Sequence, residues 1–381
     1  MSTPTDNERQ VVARGRIRVD ARRALAKLRE HLLVDLHLYA TEIARAAIAS
    51  KATTLDVDYD VDDVTLTFDG HPATPNDLPR LLDHVLGDGH TTDRHLRGLA
   101  LGVNAALGLG PAFVDIFVKS PENEKVAKVR FVPSVLESED GALPAIEWIA
   151  PPKGMPTRGM RVQVRRRLGV NFLKRAATGK IPREIVLLAD ALHHAPLKIT
   201  SRGSEFVLPS RPKVLLRVPL QQRDVRRGFL EILETPASAH VEWLELGVVL
   251  LRKPFSPEPI LPGTPQAQAD LPIRLLVDVD ELPTNASRSA LREDAPLLRS
   301  VEHAARDALV AALQTLVSLV IRQGKPLAHV EVVGSDEPKR EDTLGSIVCA
   351  VAGALRGGAK LSEQALALVD LPLLQNAVGM P

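Results

Sequence analysis

The 381-residue chain carries 48 basic and 47 acidic side chains, a net charge of +1, with 45% hydrophobic and 25% charged residues. That length and apolar content suffice for two or three buried cores, and the balanced charge gives no reason to expect nucleic acid or an anionic membrane as partner. The single cysteine, Cys349, excludes a disulfide framework and a cysteine-rich zinc site, and an aromatic content of 3% leaves few platforms for stacked bases. No apolar run approaches the roughly 20 residues of a membrane span, and the opening MSTPTDNERQ lacks the apolar stretch of a signal peptide, so a cytoplasmic location is expected.

A polar tail, 1–17, precedes a first unit expected over 18–202. Residues 20–50 predict helix, because Leu25, Leu28 and Leu32, then Ile43, Ala46 and Ala47, recur at three- and four-residue steps. LDVDYDVDDVTLTFDG alternates apolar and polar residues, as strands with one buried face do. Its carboxylates do not make a calcium loop, since Val61 and Thr67 stand where glycine and glutamate are needed. A helix at 77–86, a Gly-rich stretch at 87–110 and the strand AFVDIFVKS follow, then strands at 127–132, 145–150 and 159–166. Helix returns at 170–193, and PLKITS is the closing strand.

RGSEFVLPSRP reads as a linker from its Gly, Ser, Pro and charge. The second unit, 203–335, predicts strands at 213–219, 241–252 and 273–279, a Pro-rich loop KPFSPEPILPGTPQAQADLP, and a long helix at 289–321. A short helical tail, 336–381, ends the chain. The expected class is α+β, a sheet–helix sandwich followed by a second unit of three layers.

At 278–294 stands DVDELPTNASRSALRED, a strand end, a Pro-Thr-Asn turn, and Ser287 placed to cap a helix starting at Arg288. Arg288 would then either pair with Asp280 or Glu281 or face a site. This segment resembles the middle-domain signature of the heat-shock protein 90 family. The opening IRVDARRALAKLREHLLVDLHLYATEIARAAIAS is similar to the first helices of that family's shorter bacterial members, and order and spacing agree over 18–335.

The resemblance implies an N-terminal GHKL-type (Bergerat) nucleotide-binding sandwich and a middle domain that docks on the nucleotide and contacts client proteins. It makes Glu42 the general base, and Arg288, beside Asn285, the group reaching the terminal phosphate of ATP. Positions 42, 46 and 49 share one helical face, where the family has glutamate, asparagine and aspartate. This chain has Glu42, Ala46 and Ala49, so the Mg²⁺ ligand is missing. In TFDGHPATPNDL an ungapped alignment puts Phe68 at the adenine-reading aspartate and Gly70 at the first glycine, whereas a shift of one residue puts Asp69 there. Gly98 and Gly102 match phosphate-loop glycines, while Asn104 replaces a third. Gly98 and Gly102 also read simply as turn residues.

The expected function is that of a heat-shock protein 90-like chaperone, binding unfolded proteins, with a degenerate ATP site and weak or absent hydrolysis. A nucleotide-independent scaffold for one partner is the alternative. A third reading, a MutL-like DNA-repair ATPase, rests on RGLAL and on nine basic and no acidic residues between Thr157 and Arg183. His193 and His194 have no ligand set for a metal, and none is expected. Only 48 residues follow Val333, too few for the family's dimerisation domain, so dimers built through it are not expected.

Overall fold

The computed structural model describes residues 24, 25, 27, 29, 33–86, 93–136, 143–167, 181–233, 239–254, 272–285 and 288–323. Strands β1 (Thr54–Tyr59) and β2 (Asp63–Phe68) form the hairpin that the alternation predicts, with Leu55, Val57, Val64 and Leu66 on the buried face. β3 (Phe113–Lys119), β4 (Val126–Phe131), β5 (Ile146–Ile149) and β6 (Gly159–Arg165) extend it. β7 (Lys198–Ser201) and β8 (Ser204–Glu205) complete an eight-stranded sheet in the order β5-β4-β3-β6-β2-β1-β7-β8, antiparallel except where β7 runs parallel to β1.

Helices α1 (Tyr39–Ala49), α2 (Arg94–Gly108) and α3 (Arg183–Ala191) bring Tyr39, Ile43, Leu99, Val103 and Leu188 into one core with Leu55, Leu66, Val114, Ile116 and Val162 of the sheet. Each such side chain taken fully from water contributes about 1.5–3 kcal/mol. The alternate positions of the same strands are polar and pair across the sheet: Arg130 to Asp115 at 2.7 Å and Arg165 to Asp63 at 2.5 Å. The sandwich is therefore built on one sheet face.

A second, five-stranded sheet has the order β12-β11-β13-β10-β9, from β9 (Val214–Pro219), β10 (Arg227–Leu233), β11 (His240–Glu245), β12 (Val248–Pro254) and β13 (Ile273–Val279). The long helix α4 (Pro296–Gln323) lays Val301, Ala304, Ala305, Ala308 and Leu309 against Leu230, Ile232, Leu275 and Val277. Small alanines let that helix approach closely. Between β11 and β12, Leu246 and Gly247 take φ values of 57° and 83°, as a tight hairpin turn requires. The turn abuts the first unit: a Cβ on Gly247 would lie 2.7 Å from the His194 carbonyl oxygen, and Val248 joins the first core.

The α+β class is the one expected, and several elements differ in detail. The helix expected over 20–50 breaks at 33–35, where Asp35 accepts from the His37 amide at 3.0 Å and caps a 3-10 turn, Leu36–Leu38, before α1 begins. The stretch at 77–86 forms a 3-10 helix, Leu78–Val85, with proline in its first turn. Within the Gly-rich stretch lies α2, because its glycines serve a helix crossing. Part of the linker, Ser204–Glu205, pairs with β7, carrying the first sheet past residue 202. The strand expected at 241–252 is a hairpin of two. β10 was not anticipated: its apolar run is broken by Glu231, whose charge is met inside the sheet by Arg217 at 2.7 Å and Arg274 at 2.6 Å. Residues 170–180 of the helix expected at 170–193, most of the Pro-rich loop and the tail 336–381 lie outside the described residues, as does Cys349.

Candidate functional site

Arg288 is not at a helix start. It sits at φ 52° in a loop closed by a Thr284–Leu291 bridge, and α4 begins at Pro296; Ser287, the expected cap, lies outside the described residues. Asn285 builds this loop. Its Oδ1 accepts from the Ser289 amide at 2.9 Å, its Nδ2 donates to Ser289 Oγ at 2.9 Å, and its carbonyl accepts from the Arg288 amide at 3.0 Å. Such a network holds an arginine in the left-handed region, which costs about 1–2 kcal/mol for a residue with a Cβ.

The loop aims Arg288 across the junction of the two units at Glu42 on α1. Its Nη1 donates to both carboxylate oxygens at 3.1 Å each, and Arg45 Nη1, one turn along α1, donates to Oε2 at 2.6 Å. Arg45 also binds Glu245 at the end of β11, and Glu245 accepts from the Leu282 amide at 3.2 Å. Glu42 and Arg45 are only 3% and 6% exposed, against 12% for Glu245 and 19% for Arg288. Two carboxylates and two guanidiniums alternate there, and their charges sum to zero.

Burial alone would raise the Glu42 pKa, but the guanidiniums of Arg288 and Arg45 overcome it and hold the carboxyl below its ordinary value. A general base at neutral pH needs the opposite: a pKa near the working pH and a lone pair turned toward water. Both oxygens of Glu42 already accept from guanidiniums, Oε1 from Arg288 and Oε2 from Arg288 and Arg45. The carboxylates Asp280 and Glu281, considered as partners for Arg288, lie instead near Arg94 at 3.9 Å and Arg97 at 3.7 Å. These pairs rim a cleft of about 510 Å³ between the units, which Ala49, Gly98 and Asn285 also line.

The remaining expected site residues are dispersed. Asp69 accepts from the Thr53 amide at 2.7 Å, Thr53 Oγ1 at 2.5 Å and the Thr54 amide at 2.9 Å, tying down the entry to β1. Burial raises its pKa, and those hydrogen bonds outweigh burial and lower it. A Cβ at Gly70 would fall 1.8 Å from Ser50 Oγ, so this glycine admits the end of α1. Gly98 and Gly102 lie on α2 against α1: a Cβ at 98 would lie 3.3 Å from that of Ala46, and one at 102 would lie 2.7 Å from Ile43 Cγ1. They are packing glycines within a helix and form no phosphate loop. Asn104 is fully buried on the same helix, within 3.4 Å of Arg29 Nε.

The expected metal position does not fit Mg²⁺. Mg²⁺ needs oxygen ligands, and the face of α1 below Glu42 offers the methyl groups of Ala46, pressed against Gly98, and Ala49. The aspartate nearest the expected adenine position is consumed by threonines. On the α1 side Gly98 and Gly102 are packed against Ala46 and Ile43, while Gly98 and Leu101 also border the cleft between the units.

Three arginines of the basic run are engaged within the fold, while its residues 168–180 lie outside the described residues. Arg165 pairs with Asp62 and Asp63, Arg166 with Glu184, and Arg167 donates to the Pro111 carbonyl at 3.3 Å. Asp60, Asp62 and Asp63 cluster at the β1–β2 turn, where Arg165 and the amides of 62 and 63 engage them. His194 contacts Glu242 at 3.3 Å, together with Arg211 and Arg252, in a second bridge between the units. Sequence reading missed Arg45 and Glu245. The three-residue spacing of Glu42 and Arg45 on one helix could have revealed the first; nothing local marks the second.

No helix among the described residues is long and apolar enough to cross a membrane. No family model matches the chain, and no curated protein matches it. Among solved structures the chain is similar to the B-subunit of the DNA gyrase from Myxococcus xanthus, at 11% identity over 76% of this chain and 95% of that one, with a TM-score of 0.47. It is also similar to the N-terminal domain of a DNA repair protein, at 11% identity over 76% of this chain and 97% of that one, with a TM-score of 0.40.

Proposed function

We propose that this chain is a GHKL-type, heat-shock protein 90-like protein of two domains that has given up nucleotide turnover and acts by binding other polypeptides, as a chaperone without an ATPase cycle. One observation carries the reading: the Glu42 carboxylate is bound by two guanidiniums and held ionised, beside Ala46 and Ala49 where a metal site would need oxygen. Each lost contact to a charged ligand is worth about 1.5–3 kcal/mol, so two of them weaken nucleotide binding by roughly 10²- to 10⁴-fold.

Calorimetric titration with Mg-ATP and a phosphate-release assay test it. No turnover above background is expected, and hydrolysis that Glu42→Ala abolishes would overturn the proposal. Suppressed aggregation of several unrelated denatured proteins supports the chaperone role, whereas capture of one stoichiometric partner without such suppression favours a scaffold. Binding to duplex DNA is not expected, because Arg165, Arg166 and Arg167 are engaged within the fold.

A further inference from the structure

We infer that Glu42 is a built-in counter-anion: its carboxylate fills the anion position that Arg288 and Arg45 create between the two units, so that the units dock without any ligand. This rests in part on the reading of a silent nucleotide site, but its evidence is the geometry of the junction. Arg288 reaches Glu42 across 246 positions of sequence and donates to both of its oxygens. Arg45 takes the same carboxylate with one arm and Glu245 of the second unit with the other. Glu245 in turn holds the Leu282 amide, at the base of the loop that carries Arg288. The chain of contacts thus starts and ends in the second unit and passes through α1 of the first. Every charge in it has an opposite neighbour, so no further anion is needed. A phosphate or carboxylate arriving from solution would have to compete with Glu42 for Arg288 Nη1 and Arg45 Nη1.

That competition gives the test. Glu42→Gln keeps the size of the side chain but removes its charge, leaving Glu245 as the one carboxylate for two guanidiniums at a buried junction. Hydrogen exchange on the full chain should then show the amides of 280–292 exchanging about tenfold faster or more, with β3, β6 and β13 unchanged. Inorganic phosphate at constant ionic strength should restore most of the lost protection and raise the thermal midpoint of Glu42→Gln. It should do neither in wild type, nor in Glu42→Gln combined with Arg288→Gln. Should Glu42→Gln not fold, Arg288→Gln alone should accelerate exchange over the same segment.

Protection unchanged by either variant, or wild type stabilised by phosphate as much as Glu42→Gln, overturns the inference. ATP turnover is read separately. Hydrolysis by wild type with the junction behaving as described removes the proposed function and leaves the counter-anion. An unresponsive junction without hydrolysis does the reverse.

Discussion

Glu231 and Glu42, both buried, each sit between two arginines, and they do different work. Glu231, on β10, is flanked by Arg217 of β9 and Arg274 of β13, residues that face it in register on either side of one sheet. Glu42 gathers Arg45 from its own helix and Arg288 from the other unit. The first triad belongs to one sheet, with Glu231 and Arg274 buried inside it and Arg217 half exposed at its edge strand. The second spans the junction of the two units, where no strand pairing backs the side-chain contacts. Identical side-chain chemistry is a fold element in one place and a fastening between parts in the other.

The largest effect should come from breaking the sheet triad. Glu231→Gln leaves Arg274 buried and unpaired, and should cost about 3–5 kcal/mol of global stability in urea unfolding. Glu42→Gln should cost less, about 1–2 kcal/mol, because opening the junction rehydrates its arginines. Equal losses would mean that the two triads are mechanically alike.

Acid probes a third buried glutamate. Burial alone would raise the pKa of Glu184, but the His37 imidazole 3.4 Å away and the Arg166 charge hold it down at about 2, from 4.5. Its stabilisation is present above pH 4.5 and is lost as pH falls toward 2, up to about 3 kcal/mol. His193 acts at higher pH: burial, then the Arg211 charge, lowers its pKa from 6.5 to about 4. The unfolded chain therefore binds this proton first, and stability falls from pH 6.5 to 4. Thermal midpoints measured against pH should show both windows, and His193→Gln should flatten the upper one only.

Gly102→Ala tests the crossing that positions Glu42. Its methyl would meet Ile43 Cγ1 at 2.7 Å and the Tyr39 carbonyl at 3.0 Å, and overpacking of that kind costs about 1–3 kcal/mol. Gly98→Ala, at 3.3 Å from Ala46, should have the smallest effect, and calorimetric melting of the pair ranks them.

Strands whose pattern is local were legible: β1, β2 and β3 through alternation, and β13 through its apolar run. Helix α2 was not, because Gly98 and Gly102 look like loop residues until α1 is known to lie against them. Four positions apart, they share one helical face. β10 was hidden by a charge whose partners lie on neighbouring strands. At the site, Glu42 and Arg288 were both legible, yet their direct contact was not, since the sequence suggested a phosphate between them. The conformation of Arg288 depends on Asn285 and the Thr284–Leu291 bridge, a loop geometry that resembles a helix cap in sequence alone.

The parallel pairing of β7 with β1 has a consequence for synthesis. Thr54 lies opposite Lys198 in the finished sheet, so one border of the earliest strand stays unclaimed while more than a hundred further residues leave the ribosome. Long-range pairings of this kind form late and slowly. A nascent chain stalled before residue 198 would expose a row of β1 amides and carbonyls to any passing extended segment.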